Sequence, residues 1–181
     1  MRVKTLLSLC LSFAAAGFSA CALAEAHALS KPGSEAEKDS ESDTSDLSYE
    51  SYVQSNNRFK CLYGYAAEKT GDHESAMAIF NDCIERWEDV YSMIWLAQMY
   101  EAGVSIPQDL QRSTALMKRG AHVHDPAGYA TLARYHYSKA LYFGIGTEQD
   151  REEAVRWLRL AALEGLPDAS EFMKQQGISG K

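Results

Sequence analysis

No stretch of this chain is apolar for long enough to cross a bilayer comfortably. The candidate run, Thr5 to Ala20, is shorter than the roughly 20 residues of a spanning helix, and charged, polar sequence follows at once. A basic stripe is missing too. The formal net charge is −7 and the charges beyond residue 50 are near balance, so the cations that track a phosphate backbone are not there and nucleic-acid binding is not expected. No Ser-x-x-Lys tetrapeptide occurs beyond the leader, which removes the arrangement that sets an amine one helical turn from a serine nucleophile. No other serine or cysteine is paired with a base at convincing spacing. Large apolar residues are almost absent from Glu25 to Glu50, where eight acidic side chains stand against two basic ones. Such a segment cannot bury enough apolar surface to offset its ordering entropy, and residues 25–50 read as a solvated acidic linker.

What is present begins with an address. Arg2 and Lys4 precede the apolar run, and Ala22-Leu23-Ala24 fits the small-x-small rule for a signal peptide, residues 1–24, cleaved after Ala24. Phe18-Ser19-Ala20-Cys21 also resembles a lipoprotein box, in which Cys21 is acylated. Both readings export the protein, to the periplasm or beyond in the first and to an outer-membrane anchor in the second. Membrane contact is expected only if Cys21 is lipidated. Cysteine is sparse: with Cys10 and Cys21 in the leader, Cys61 and Cys83 remain, an even count in an oxidising compartment. Their midpoint, residue 72, falls in Thr70-Gly71-Asp72, a turn between two antiparallel helices. Residues equidistant from such a turn lie side by side, so a bridge is expected, with two buried free thiols as the alternative.

Beyond the linker the dominant signal is a period. Leu141 to Ala169 reads as a helix ending at Gly144, a glycine-bearing loop, and a second helix opened by Asp150; Gly103 and Asp109 repeat Gly144 and Asp150 at an offset of 41 residues. A fixed period of this size marks stacked helical hairpins that bury their apolar faces against their neighbours. The predicted fold is all-α over residues 51–178, an α/α solenoid of about three hairpins with a short C-terminal capping helix. The first hairpin runs from about Asn56 to Arg86, with Gly64, Ala76 and Phe80 where the helices approach and Asp72 as N-cap. The second runs from about Tyr91 to His122, with Leu96, Ala97 and Tyr100 on one face and Leu110, Leu116 and Met117 on its partner helix. The third starts near Asp125-Pro126, with the proline suited to a first turn. Asp150 and Glu153 have the spacing of a reciprocal capping box, and Ala154, Leu158 and Ala161 form the inward stripe beside Trp157. A last helix, Ala169 to Gln176, is predicted to cover the stack with Phe172 and Met173.

The pattern Leu96-Ala97, Tyr100, Gly103, Asp109, and again Gly144, Gly146, Asp150, Ala154, Trp157, Ala161-Ala162, Gly165, resembles Sel1-like repeats, relatives of tetratricopeptide repeats with a longer inter-helix loop. The second unit departs from the pattern at Ser105 and Ser113, and the first hairpin looks more like a plain tetratricopeptide unit. The Cys61 and Cys83 placement is similar to the hairpin-bridging cysteines of exported, cysteine-rich Sel1-like proteins. What the resemblance implies is adaptor work without catalytic apparatus or cofactor: binding a protein or peptide partner of the cell envelope along a concave face lined by the first helices. Mapping by the repeat puts Tyr65, Tyr91, Gln98, Tyr135, Lys139 and Tyr142 near that face, flanked by Arg134 and His136, while Tyr100 and Tyr137 occupy packing positions.

The alternative is an envelope hydrolase or metal-dependent enzyme on the same scaffold. Its best candidate is His122-Val123-His124-Asp125, two histidines and a carboxylate of the kind that hold zinc. The cluster lacks the further histidine of the metallo-hydrolase motif and falls where two repeats join, so no metal site is expected. Gly144-Ile145-Gly146 is not expected to be a phosphate loop, because neither a preceding strand nor a following Lys-Ser/Thr accompanies it.

Overall fold

The computed structural model describes residues 48–104 and 106–179. The leader, both processing alternatives, residues 25–47 of the acidic segment and Ser105 lie outside the described residues. Those described form eight helices: α1 Tyr49–Val53, α2 Lys60–Thr70, α3 His73–Trp87, α4 Val90–Ala102, α5 Leu110–His122, α6 Tyr129–Phe143, α7 Arg151–Leu163 and α8 Pro167–Gln175, with no strand among them. Helices α2/α3, α4/α5 and α6/α7 pair as hairpins, each hairpin packs on the next, and the first helices α2, α4 and α6 neighbour one another. The all-α stack of three hairpins is as predicted.

Local chemistry sets each hairpin. Helix α2 ends in a Schellman motif: the Gly71 N–H donates to the Glu68 carbonyl at 3.2 Å and the Asp72 N–H to the Ala67 carbonyl at 2.9 Å. The Asp72 carboxylate then accepts from the Ser75 N–H at 3.1 Å and opens α3, so one short turn finishes a helix and starts the next. Cys61 and Cys83 are bonded across this hairpin, with Cα atoms 5.9 Å apart and a sequence separation of 22. Closing a loop of that length is worth on the order of 3 kcal/mol. Gly64 packs where a side chain has no room: a Cβ there would stand 2.5 Å from Cε1 of the fully buried Phe80.

The second and third hairpins repeat the same bonds at the 41-residue offset. The Asp109 N–H donates to the Tyr100 carbonyl and the Asp150 N–H to the Leu141 carbonyl, both at 3.0 Å. Gln108 Nε2 donates to the Glu101 carbonyl at 2.8 Å and Gln149 Nε2 to the Tyr142 carbonyl at 2.7 Å. Apolar burial occurs mainly between hairpins, as a solenoid requires. Ala67, Ala76, Phe80 and Ile84 meet Met93, Leu96 and Met99; Val90, Ile94, Ala97, Met117 and Ala121 meet Ala133, Tyr137, Leu141 and Ala154. The predicted terminal cover is present, Phe172 and Met173 closing over Leu158 and Ala161.

Four local features differ from expectation. Helix α1 precedes the first hairpin, its Tyr49, Tyr52 and Val53 packed on Cys61, Ile79 and Cys83. Helix α6 begins at Tyr129 rather than near Pro126. Pro126 lies in the turn ahead of it, and the Asp125 carboxylate reaches forward to accept from the N–H groups of Ala127 (3.2 Å), Tyr129 (2.6 Å) and Ala130 (3.3 Å). The capping box is one-sided: Asp150 accepts from the Glu153 N–H at 2.8 Å, but the Glu153 carboxylate is taken by Trp157 Nε1 at 3.1 Å. Helix α8 starts at Pro167, two residues early, because proline suits the first helical position.

Candidate functional site: an aromatic face on the first helices

Tyr91, Trp95 and Gln98 recur at four- and three-residue spacing on α4, which places them on one helix face. That face lies between α2 and α6, and rings from both meet it. Tyr65 of α2 tilts against Trp95 at a centroid distance of 4.5 Å, Trp95 meets Tyr91 edge-on at 6.1 Å, and Tyr91 meets Tyr129 of α6 edge-on at 5.2 Å. Four rings therefore run unbroken across all three first helices, mostly in the offset arrangements that ring quadrupoles favour. Burial first, then the neighbouring Tyr129 phenol, raises the Tyr91 pKa, so its hydroxyl stays protonated at neutral pH. At the α2 end, Lys69 stands over Tyr65 and Trp95, its Nζ 5.4 and 5.1 Å from the two centroids. A hydrogen bond to Glu68 holds the Lys69 pKa above the usual value despite desolvation.

Beside the row, at the N-terminal ends of the first helices, lies a groove of about 290 Å³ lined by Arg58, Phe59, Leu62, Asp89, Tyr91 and Tyr129. Phe59 is 72% exposed and Leu62 54%. Asp89 is buried in its floor and caps α4: Oδ1 accepts from the Ser92 N–H at 2.9 Å and the Ser92 hydroxyl at 2.7 Å, and Oδ2 pairs with Arg58 Nη2 at 3.2 Å.

The six residues expected on the face separate into two groups. Tyr65 and Tyr91 belong to the row, and Gln98 lines a hollow with Glu68, Lys69, His73 and Trp95. Tyr135, Lys139 and Tyr142 form a second group where α6 meets α8. Tyr135 and Tyr142 stand edge-on to Phe172 at 6.4 and 5.5 Å, Lys139 Nζ lies 5.4 Å from the Tyr135 centroid, and the Tyr142 hydroxyl donates to Gln176 Oε1 at 3.3 Å. Of the flanking pair, Arg134 is structural: Nη1 meets both Glu164 carboxylate oxygens at 2.7 Å and Nε donates to the Ala121 carbonyl at 3.0 Å. His136 has a depressed pKa, from burial first and from Lys139 second. Trp95, Tyr129, Lys69 and the groove residues Arg58, Phe59 and Leu62 were not on the expected face. Trp95 was findable, since it shares the spacing of Tyr91 and Gln98. Tyr129 was not, because it becomes the first residue of α6 only through the Asp125 turn.

At the repeat junction, the His122 ring is bonded through Nδ1 to the Lys118 carbonyl at 2.8 Å and stands edge-on to Trp157 at 5.0 Å. With the Asp125 carboxylate committed to backbone N–H groups, the three side chains do not converge, and among the described residues no group of three or more His, Cys, Asp or Glu is placed to hold a metal. Gly146 has φ +62°, and a Cβ there would overlap the Leu110 carbonyl; Thr114 donates to the adjacent Ile145 carbonyl at 2.8 Å. This loop thus seats the third hairpin on the second. Among the described residues no helix is long and apolar enough to cross a membrane.

The Sel1 repeat model matches residues 90–122 and 131–166, which are α4/α5 and most of α6, α7 and their loop. The fold is similar to the crystal structure of a Sel1 repeat protein from Oxalobacter formigenes, with a TM-score of 0.55 at 20% identity over 67% of this chain. The chain spans about half of that protein, 49% of its length. No protein of curated function matches the chain in sequence.

Proposed function

The chain carries two Sel1 repeats, and from that premise we propose that it is a non-enzymatic adaptor of the cell envelope that holds a protein or peptide segment against its first helices. Sel1 repeats typically mediate protein–protein interaction. The observation that carries the reading is the ring row Tyr65–Trp95–Tyr91–Tyr129, which joins three hairpins into one surface. Rings held by one another lose little freedom on binding, so the face is preformed and affinity is not spent on ordering it. The envelope address rests on the N-terminal leader.

Site-specific photo-crosslinking in cells producing the full chain tests the reading. With the probe at Leu62, on the rim of the groove, a discrete adduct is expected. None is expected from a probe at Arg156, an exposed residue of α7 whose side chain pairs with Glu152. Equal labelling from both positions, or adducts from Arg156 alone, would contradict it.

A further inference from the structure

We infer that α1 is a latch over the Cys61–Cys83 bridge: its opening admits a dithiol reductant and lets the bridge break while the three hairpins stay folded. This goes beyond the adaptor reading and does not depend on it. The bridge is enclosed, with Cys61 at 3% exposure and Cys83 at 0%. Packed around it are Ile79 and Trp87 of its own hairpin and Tyr49, Tyr52 and Val53 of α1. In that cluster the cover from outside the hairpin comes from α1. None of the α1 residues is itself fully buried, and five residues are too few for a helix that stands alone. What holds α1 down is the contact of those three side chains, the Tyr52–Tyr63 ring stack at 4.2 Å and the bond from Lys60 Nζ to the Val53 carbonyl at 2.6 Å.

Opening α1 leaves no unpaired charge in the core, because the buried Lys60 amine keeps its Asp82 partner at 2.6 Å. The Asp82 carboxylate also accepts from Arg86 Nε at 2.8 Å, and Arg86 Nη1 donates to the Asn56 side-chain oxygen. These bonds pin the chain just beyond α1 to α3 and make Gln54 and Ser55 the hinge. The hairpin below has its own support: Phe80 fills the space beside Gly64, and Ala67, Ala76, Phe80 and Ile84 pack on α4. A surface element held in this way opens locally, at a free energy below that of global unfolding. With α1 away, a thiolate of the reductant attacks one sulfur of the bridge, and the other cysteine leaves as a thiolate. The second thiol of the reductant then displaces the mixed disulfide. The reductant ends as a disulfide, and its two protons pass to Cys61 and Cys83, which end as thiols. When α1 recloses, they pack beneath it as small apolar side chains.

Cys61 also lines the groove beside the aromatic row, which makes the groove the competing route. The test is the rate at which dithiothreitol reduces the bridge in the full chain. Samples are quenched with iodoacetamide and read by mass spectrometry on the peptides that hold Cys61 and Cys83. The wild-type rate is expected to depend weakly on urea below the unfolding transition, since a small opening exposes little surface. Tyr52→Ala removes a ring stack and a contact over the bridge, and should raise the rate about tenfold. The urea midpoint of the stack should fall too little to account for that rise. Leu62→Ala, which widens the groove, should change the rate less than about twofold. Circular dichroism after reduction should keep the helical signal. A wild-type rate that climbs with urea as steeply as global unfolding would overturn the inference, and decides the matter even if Tyr52→Ala does not fold. So would a rate that Tyr52→Ala leaves unchanged or Leu62→Ala raises as much, or loss of the helical signal on reduction.

Discussion

The amine of Lys60 is fully buried, next in sequence to a bridged cysteine, with Nζ 2.6 Å from an Asp82 carboxylate oxygen, 2.6 Å from the Val53 carbonyl and 5.7 Å from the Trp87 ring centroid. A lysine at a helix start reads in sequence as solvated. It is inside here because α1, which sequence did not suggest, brings the carbonyl that completes its shell. Gly64 and Phe80 were legible, because a small residue facing a large one at hairpin spacing has a single steric meaning. His136, at the margin of the expected face, is half-buried, with Lys139 on its own helix and Glu101 and Asp168 from α4 and α8 as its charged neighbours. Its pKa is below the usual 6.5, so the fold favours the neutral ring. The unfolded chain then binds the extra proton first, and stability present above pH 6.5 is lost as pH falls from there towards the folded-state value. His136→Gln is expected to flatten the loss of urea resistance between pH 7.5 and pH 5. An unchanged slope would contradict it.

At the scale of elements, the three hairpins were readable because each start and stop has a chemical cause: a left-handed glycine at the end of α4 and α6, an aspartate before α3, α5 and α7. What escaped were elements fixed by contacts from outside themselves. Helix α1 is five residues long and too short to stand alone; it is held by packing on the Cys61–Cys83 cluster. The start of α6 escaped because its carboxylate acts from four residues ahead of Tyr129, a reach that simple N-cap spacing does not contain. Three backbone donors depend on Asp125, so Asp125→Ala should cost about 1–2 kcal/mol. It should also loosen Tyr129, seen as faster amide exchange at the first turn of α6 than at that of α7. Equal exchange at the two helix starts would contradict the assignment.

Across the whole described stack, the repeat period specified which helices would neighbour each other and left open which side chains would share a surface. Sequence placed six residues on one face, and the fold divides them. Tyr65 and Tyr91 join Trp95 and Tyr129 across α2, α4 and α6, while Tyr135, Lys139 and Tyr142 meet the capping helix through Phe172. The division follows from α8: the helix that covers the last apolar face also covers the end of α6, a consequence that a one-dimensional repeat does not express. The proposed docking face is therefore the row and groove, while the α6–α8 cluster packs against the capping helix. The direct test is the affinity of the crosslinked partner, once purified, for Tyr129→Ala and Tyr142→Ala. A ring at the centre of a docking face is worth about 2 kcal/mol or more, so Tyr129→Ala should weaken binding at least tenfold and Tyr142→Ala less than twofold. The reverse order, or equal losses from both, would contradict the assignment of the docking face.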